Sequence, residues 1–126
     1  MRLLLDTHIL LWWLYDPARL RRSVVAAIAT PENDVFVSAA VAWELSIKQA
    51  LGRLTFPLDD YRAILDQGGF APLPIDAGHA IAAGQLRRLH GDPFDRMMIA
   101  QAILERLTLV TEDPQILRYD VPVLTA

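Results

Sequence analysis

The sequence predicts an α/β protein with a central parallel sheet of four or five strands, covered by helices on both faces. Two observations support this fold class. Short apolar runs without polar alternation are typical of strands buried on both faces, and here they alternate with longer segments of helical character. The eight prolines and six glycines fall between these segments, where such residues end one element and begin the next.

The first elements are predicted from apolar runs and from the residues that can cap helices. Residues 2–5 form a buried strand that ends at Asp6, and Thr7 is predicted to cap a helix over residues 8–15. The Asp-Pro pair at 16–17 closes that helix because the residue before proline disfavours helical geometry. The next elements are a helix at residues 18–29, a strand at 35–37, and a helix at 39–51 with Ser38 as its cap.

Glycine and proline residues also mark the boundaries of the remaining elements. A helix over residues 58–67 is closed by Gly68 and Gly69. Residues 70–75 form a weak strand that we place at an edge of the sheet, because prolines within it cannot donate hydrogen bonds to a neighbour. The later elements are helices at 77–89 and 93–107, a strand at 107–111, a helical turn opening at Asp113-Pro114, and a last strand at 121–124.

Composition limits the function classes open to the chain. At 126 residues it is predicted to be a single domain spanning residues 1–126. The net charge of −3 argues against a large cationic surface, so binding of nucleic acid requires local basic patches. The absence of cysteine excludes disulfides, thiolate metal sites and a cysteine nucleophile. Asp6 and His8 interrupt the first apolar stretch, so we expect no signal peptide and a cytoplasmic protein.

Four carboxylates are candidates for chemistry because of where they fall along the chain. In a parallel α/β sheet, ligands bind beyond the carboxyl ends of the strands. The candidates stand at such ends, or on helices that follow strands: Asp6, Glu44, Asp95 and Asp113. Asp6 directly ends the first strand, although aspartate is also a common turn or cap residue. Glu112 lies beside Asp113 and is expected to point elsewhere.

Glu44 interrupts an otherwise apolar helical stripe. Ala40, Glu44, Ile47 and Leu51 share one face of the predicted helix. A carboxylate on a buried stripe is costly unless it is paired or binds a metal ion. The alternative is a surface pair with Lys48, four residues later, which contributes only a few tenths of a kcal/mol.

The helix that starts at Pro93 carries two aspartates near its beginning. Asp92 suits the N-cap position before a proline, so we assign it a structural role. Asp95 lies in line with Ile99 and is assigned to the site, the alternative being a favourable interaction with the helix N-terminus. Asp113 also has an N-capping alternative, and its candidacy rests on the expectation that its strand neighbours the strand of Asp6.

Acidic side chains gathered in one cleft repel each other, and divalent cations relieve that cost. A cation such as Mg²⁺ can activate a water and stabilise charge on a phosphate, which points to phosphodiester hydrolysis. The chain has no P-loop, no dinucleotide-binding glycine motif and no G-x-S-x-G nucleophile elbow. Its three histidines lack metal-ligand spacing, so they are not assigned as ligands. His8 stands close enough to Asp6 to line a site, but a solvated histidine or a satisfied core histidine is the favoured interpretation.

Two further features bear on partners. Basic residues cluster in the chain, and Arg96 beside Asp95 is the first candidate to contact RNA phosphates, the alternative being a solvated helix face. The helix at 8–15 is apolar on nearly every side, which predicts either ordinary core packing or an interface, as in a homodimer or a partner-binding groove.

The motifs together resemble a known family. The chain contains, in this order, MRLLLDTH at 1–8, SAAVAWELSIK at 38–48, HGDPFDRMMIAQA at 90–102 and LVTED at 109–113. Four such motifs in order, over nearly the whole chain, resemble a PIN-domain protein of the VapC type, the toxin of a bacterial type II toxin–antitoxin pair. Thr7 and His8 depart from the Ser or Asn that many members carry after the first acid.

The resemblance implies a three-layer α/β/α fold and a ribonuclease that depends on Mg²⁺ or Mn²⁺. It implies that Asp6, Glu44, Asp95 and Asp113 are the family's four acids, with Thr111 as the hydroxyl residue that supports the fourth. It also implies a homodimer, held inactive by a VapB-like antitoxin whose tail enters the active-site groove. The alternatives are a non-catalytic binding module with the same fold, and a DNA nuclease or phosphatase that shares the metal chemistry.

Overall fold

The computed structural model describes residues 1–125 and contains a parallel sheet flanked by helices. Within these residues the sheet has five strands in the order β3-β2-β1-β4-β5, and each neighbouring pair is parallel. The strands are β1 (Arg2–Leu5), β2 (Asp34–Ser38), β3 (Ala71–Leu73), β4 (Thr108–Thr111) and β5 (Val123–Thr125). The predicted α/β class is therefore confirmed, together with each predicted strand.

Six α-helices are present in the described part of the chain. They are α1 (Thr7–Tyr15), α2 (Arg22–Ala29), α3 (Ala39–Ala50), α4 (Tyr61–Gly68), α5 (Ala77–Gln85) and α6 (Pro93–Glu105). Single 3₁₀ turns cover Pro17–Arg19, Leu58–Asp60 and Ile116–Arg118. None of these helices is long and apolar enough to span a lipid bilayer.

The middle strand β1 forms the centre of the core. Its three leucines, Leu3, Leu4 and Leu5, are fully buried, because β2 and β4 flank the strand and helices cover the sheet. Burial of one such side chain contributes about 1.5–3 kcal/mol. The apolar run that predicted this strand is thus explained by burial on both faces.

The strand order creates a crevice beside β1. The chain runs from β1 to β2 and then β3 on one side, and later returns to the other side as β4. Ligand sites in open parallel sheets form where the strand order reverses in this way, outside the carboxyl ends of the strands. Asp6 follows β1 and Thr111 ends β4, so both lie at this point.

Local sequence signals explain several helix boundaries. The Ser38 hydroxyl accepts a hydrogen bond from the Ala40 main-chain N–H and caps α3, as predicted. Asp92 caps α6 by accepting from the main-chain N–H groups of Phe94 and Asp95, also as predicted. Gly69 ends α4 in the left-handed conformation, with φ of +74°.

Other predicted boundaries are wrong. Thr7 does not cap α1: it is the first residue of the helix, Asp6 occupies the cap position, and the Thr7 hydroxyl instead donates to Glu44. Helix α2 begins at Arg22 and α4 at Tyr61, because a 3₁₀ turn forms where each helix was predicted to begin. Helix α5 ends at Gln85, four residues early, because the loop that follows is held in another conformation by Arg96.

The α1 helix is only partly buried, which refines the prediction made for it. Ile9 and Leu10 are buried, Trp12 and Trp13 are half-buried, and Tyr15 is 60% exposed. The helix therefore contributes its first turns to the core and leaves apolar surface at its end. Homodimer formation stays a prediction.

Helix α5 is fixed to α6 by a buried histidine. Asp76 and His79 form a capping box, in which each side chain accepts a hydrogen bond from the other's main-chain N–H. The His79 ring also contacts a Glu105 carboxylate oxygen through Nε2, at 2.8 Å. Both ring nitrogens thus have partners within the fold, and His79 has a structural role.

The two glycines Gly69 and Gly84 provide a matched test of this backbone. An added Cβ would meet open space at both positions, but Gly69 has a positive φ whereas Gly84 lies in α5. We expect Gly69→Ala to lower the free energy of unfolding by about 1 kcal/mol and Gly84→Ala to raise it by about 0.5 kcal/mol. Urea unfolding measures both, and equal effects of the same sign would contradict the assigned backbone conformations.

Candidate functional site

A cleft of about 240 Å³ opens at the carboxyl ends of β1 and β4. Its lining residues come from the start of α1 and from the segment after β4: Asp6, His8, Trp12, Glu112, Asp113 and Pro114. Asp6 is 5% exposed, so its carboxylate lies at the inner end of this cleft. The predicted location of the site at the ends of these strands matches the observed cleft.

The Thr111 hydroxyl connects two of the predicted acids. Its Oγ1 donates to Asp6 Oδ2 at 2.8 Å and accepts a hydrogen bond from the Asp113 main-chain N–H at 3.1 Å. Thr111 is fully buried, so this arrangement is shielded from water. The hydroxyl therefore fixes the orientation of the Asp6 carboxylate and the path of the chain at Asp113.

Helix α6 brings a third acid to the site. Asp95 lies in its first turn and is 8% exposed. Its Oδ2 is 2.9 Å from His90 Nε2. One donor atom each from His90, Asp95 and Asp113 lies within 4.8 Å of the other two. Residues separated by up to 23 positions in the sequence thus form one compact set of potential metal ligands.

Glu44 has direct partners of its own. It is 5% exposed; Oε1 accepts a hydrogen bond from the Thr7 hydroxyl at 2.6 Å, and Oε2 pairs with the Lys48 ammonium. The buried position and the ion pair with Lys48, which were predicted as alternatives, occur together. The apolar stripe predicted around Glu44 is wrong at its end, since Leu51 lies past the last helical residue and is 61% exposed.

Asp113 and Glu112 both reach the cleft. The Asp113 Oδ1 atom accepts a hydrogen bond from the Gln115 main-chain N–H at 2.9 Å, so the capping role predicted as an alternative is present. Glu112 was predicted to point elsewhere, but it is exposed and lines the same cleft. The segment after β4 turns at Pro114, and this turn brings both carboxylates to the cleft.

The environment of Asp6 disfavours its negative charge. Burial raises the pKa of the Asp6 carboxyl above its ordinary range, and the nearby charge of Glu44 raises it further. The hydrogen bond from Thr111 and the charge of His8 lower the pKa of Asp6 and oppose this rise. Asp6 therefore responds electrostatically to groups on three other segments of the fold.

The pKa of Asp95 is raised as well. Burial, together with the charges of Asp6, Asp92 and Asp113, raises the pKa of Asp95 to about 7, although the hydrogen bond with His90 lowers it. Three acids thus act on one buried carboxyl group. A divalent cation among them would remove the repulsion, and carboxylate oxygens are the ligands that Mg²⁺ and Mn²⁺ prefer. The donor set therefore fits such an ion.

Comparison with known proteins agrees with this geometry. A family model described as PIN domain matches residues 3–122. The chain belongs to the PIN-domain family. It is similar to Ribonuclease VapC22 of Mycobacterium tuberculosis (strain ATCC 25618 / H37Rv), with 32% identity over 117 residues, which cover 87% of this chain and 85% of that protein.

Solved structures share the fold of this PIN domain. VapBC2 from Rickettsia felis, bound to a DNA fragment from its promoter, includes a chain that aligns with a TM-score of 0.73 and 19% identity, over 99% of this chain and 98% of that one. At that identity the likeness shows the fold alone. FitAcB from Neisseria gonorrhoeae aligns with a TM-score of 0.65 and 27% identity, over 97% of this chain and 96% of that one.

Arg96 has a different role in this PIN domain from the one predicted. Its guanidinium does not extend toward solvent as a phosphate contact but binds oxygen atoms within the protein. Nη2 donates to the carbonyls of Ala83 and Leu86, whereas Nη1 donates to the carbonyls of Arg87 and His90 and to the Tyr119 hydroxyl. Arg96 therefore holds the loop between α5 and α6, which carries His90.

Sequence reasoning missed His90 as a site residue. Its distance of five positions from Asp95 does not match the one-turn spacing of ligands on a helix. The residue precedes α6, and the loop folds back so that the ring meets the first turn of the helix. One feature of the sequence could have indicated a role for His90: it comes two residues before Asp92, the cap of α6, and therefore lies near the N-terminus of that helix.

The raised pKa of Asp95 predicts how stability depends on pH when no metal is bound. The folded protein holds this proton up to pH about 7, whereas the unfolded carboxyl loses it near 3.8, so stability should fall as the pH rises through this window. We expect Asp95→Asn to raise the free energy of unfolding at pH 8 in EDTA by about 2–4 kcal/mol.

The gain from Asp95→Asn should disappear below pH 4, where the wild-type carboxyl is protonated in both states. Denaturant unfolding across pH 4–8 measures this dependence. Asp66→Asn removes an exposed acid from α4 and serves as the control, with an expected effect within about 0.5 kcal/mol. A gain that is independent of pH would show that Asp95 is not destabilised by its charge.

The Arg96 contacts predict a large loss of stability on truncation. Arg96→Ala removes a donor from four carbonyl oxygens, of which those of Arg87 and His90 keep a second donor, and we expect a loss of about 2–3 kcal/mol in the free energy of unfolding. Arg88→Ala, an exposed arginine of the same loop, should change it by less than about 0.5 kcal/mol. Urea unfolding compares the two, and similar values for both variants would rule out the assigned role of Arg96.

Proposed function

We propose that this PIN domain is a metal-dependent endoribonuclease that hydrolyses RNA phosphodiester bonds by water attack. The observation that carries the proposal is the gathering of carboxylates from separate segments near the ends of β1 and β4: Asp6 and Asp113 line the cleft, the charges of both act on buried Asp95, and the charge of buried Glu44 acts on Asp6. Burial raises the pKa of both Asp6 and Asp95, and neighbouring acids raise it further: Glu44 acts on Asp6, whereas Asp6, Asp92 and Asp113 act on Asp95. The similarity to a protein named Ribonuclease VapC22 supports RNA as the substrate.

The cofactor in this proposal is Mg²⁺ or Mn²⁺. Asp6 and Asp95 are the main ligands, and Glu44 and Asp113 complete the cluster directly or through water. When bound, the cation lowers the pKa of a coordinated water and stabilises the negative charge that develops on the phosphate.

Other side chains of the site position these acids. Thr111 orients the Asp6 carboxylate, and Thr7 orients Glu44 through its hydroxyl. Asp92 holds the first turn of α6 and so fixes the main chain at Asp95. Each of these contacts is made within the protein, so the site is organised before substrate binds, which favours catalysis.

The proposal extends to the partner and the biological class. The similarity to Ribonuclease VapC22, together with the resemblance of the four motifs to VapC-type toxins, supports this extension. We infer that this chain, as one PIN domain over residues 1–126, is a cytoplasmic toxin inhibited by a VapB-like antitoxin. Half-buried Trp12 at the cleft offers apolar surface beside the acids, and an antitoxin segment placed there would exclude RNA.

Loss of one central acid should abolish cleavage without unfolding the protein. We expect Asp6→Asn and Asp95→Asn each to reduce cleavage of single-stranded RNA by on the order of 100-fold or more, because each weakens metal binding. EDTA should remove the wild-type activity, and added Mg²⁺ or Mn²⁺ should restore it. Gel-based cleavage assays measure the rates, and cooperative thermal unfolding verifies that the variants are folded.

Asp66→Asn is the matched control and should cleave RNA at the wild-type rate, since Asp66 is exposed on α4. Parallel assays on single-stranded DNA and on a phosphomonoester separate the related hydrolase classes. Full activity of Asp6→Asn, or activity unchanged in EDTA, would refute the proposal. Absence of any cleavage, together with no thermal shift on addition of Mn²⁺, would favour a non-catalytic binding module.

A further inference from the structure

The His90 ring lies among the proposed metal ligands, although it is not one of the four acids assigned to the site. Its Nε2 atom is 2.9 Å from Asp95 Oδ2, and it belongs to the same compact group of donor atoms as Asp113. We propose that His90 supplies a direct nitrogen ligand to the divalent cation, beside Asp95 and Asp113, and that this nitrogen makes the site favour Mn²⁺ over Mg²⁺. The inference rests on the proposed metal-dependent function.

The distances suit a shared ion. Neighbouring ligands of an octahedral cation, each about 2.1 Å from it, are about 3.0 Å apart, and opposite ligands are about 4.2 Å apart. The His90 and Asp95 atoms are separated by 2.9 Å, and all three donor atoms fall within 4.8 Å of one another. The His90–Asp95 separation thus matches two neighbouring corners of an octahedron, and Asp113 lies close enough to reach a third corner by a movement of its side chain.

The main chain at His90 is held by contacts that leave the ring free to face the acids. The His90 N–H donates to the Tyr119 hydroxyl at 2.9 Å, and Arg96 Nη1 donates to the His90 carbonyl at 3.3 Å. Tyr119 is 8% exposed, so this anchor belongs to the protein interior. The arginine and tyrosine therefore fix where the imidazole enters the site, as supporting contacts do in metal centres.

A hydrogen bond between His90 and Asp95 accounts for their 2.9 Å separation, and the Gln115 main-chain N–H holds Asp113 Oδ1. Neither contact requires a second carboxylate to lie within 4.8 Å of the same imidazole nitrogen. The convergence of three donors, two oxygens and one nitrogen, is what a cation needs. An imidazole in the set disfavours Mg²⁺, which prefers oxygen ligands, relative to a first-row transition ion. His90 would in this way bias the choice of metal.

The direct test is pulsed electron paramagnetic resonance of Mn²⁺ bound to the full chain. We expect electron spin echo modulation from a coordinated ¹⁴N in the wild type, and loss of this modulation in His90→Gln, whose amide can still donate a hydrogen bond to Asp95. His8→Asn is the matched control, because His8 also lines the cleft, and its ¹⁴N modulation should persist.

Metal titration provides a second readout. We expect His90→Gln to weaken Mn²⁺ binding by about 10–100-fold while changing Mg²⁺ binding less than about threefold. Thermal unfolding without metal verifies that the variant is folded. Should His90→Gln not fold, the wild-type spectrum and the His8→Asn control still decide the question.

Three results would overturn the inference. Bound Mn²⁺ without ¹⁴N modulation in the wild type would show that His90 is not a ligand, and metal-dependent cleavage of RNA would then still support the proposed function. Modulation lost in His8→Asn but retained in His90→Gln would assign the nitrogen to His8. Failure of the wild type to bind Mn²⁺, with no metal-dependent cleavage, would overturn both this inference and the proposed function.

Discussion

The burial of carboxylates close to one another is the constraint on which this structure depends. Asp6, Glu44 and Asp95 are each at most 8% exposed, and a buried charge is unfavourable unless an opposite charge or hydrogen bonds compensate it. The protein compensates only in part: Lys48 pairs with Glu44, and Thr111 donates to Asp6. What remains uncompensated raises the pKa of Asp95 and makes a divalent cation the natural counterion.

The fold tolerates this cluster of buried acids because the apolar core, and not the site, stabilises the protein. The fully buried leucines of β1, together with Leu109 and Val110 of β4, form an apolar core beneath the site. Asp6 follows β1 directly, Asp95 lies in the first turn of α6 and Glu44 lies in the middle of α3, so the main chain fixes their positions with little freedom. Core stability therefore offsets the cost of the electrostatic strain at the strand ends, as is common at functional sites.

Much of this arrangement could be predicted from the sequence because its signals are local. An apolar run ending in an acid predicts β1 and Asp6, and an Asp-Pro pair predicts the cap of α6 near Asp95. The role of Arg96 could not be predicted, since its partners lie up to 23 positions away and include main-chain carbonyls, which carry no sequence signature. His90 was missed because it lies in the loop before α6, at a distance of five residues from Asp95 that matches no ligand spacing on a helix.

The arginine that holds the loop before α6 also has a consequence for sequence variation. Because Arg96 binds the carbonyl oxygens of Ala83, Leu86 and Arg87 rather than their side chains, the shape of this segment does not depend on which residues form it. Related chains that keep the arginine can therefore exchange the residues of this segment and alter the exposed surface of the loop that carries His90. The side chains of this loop can thus diverge while the main chain that leads to His90 keeps its shape.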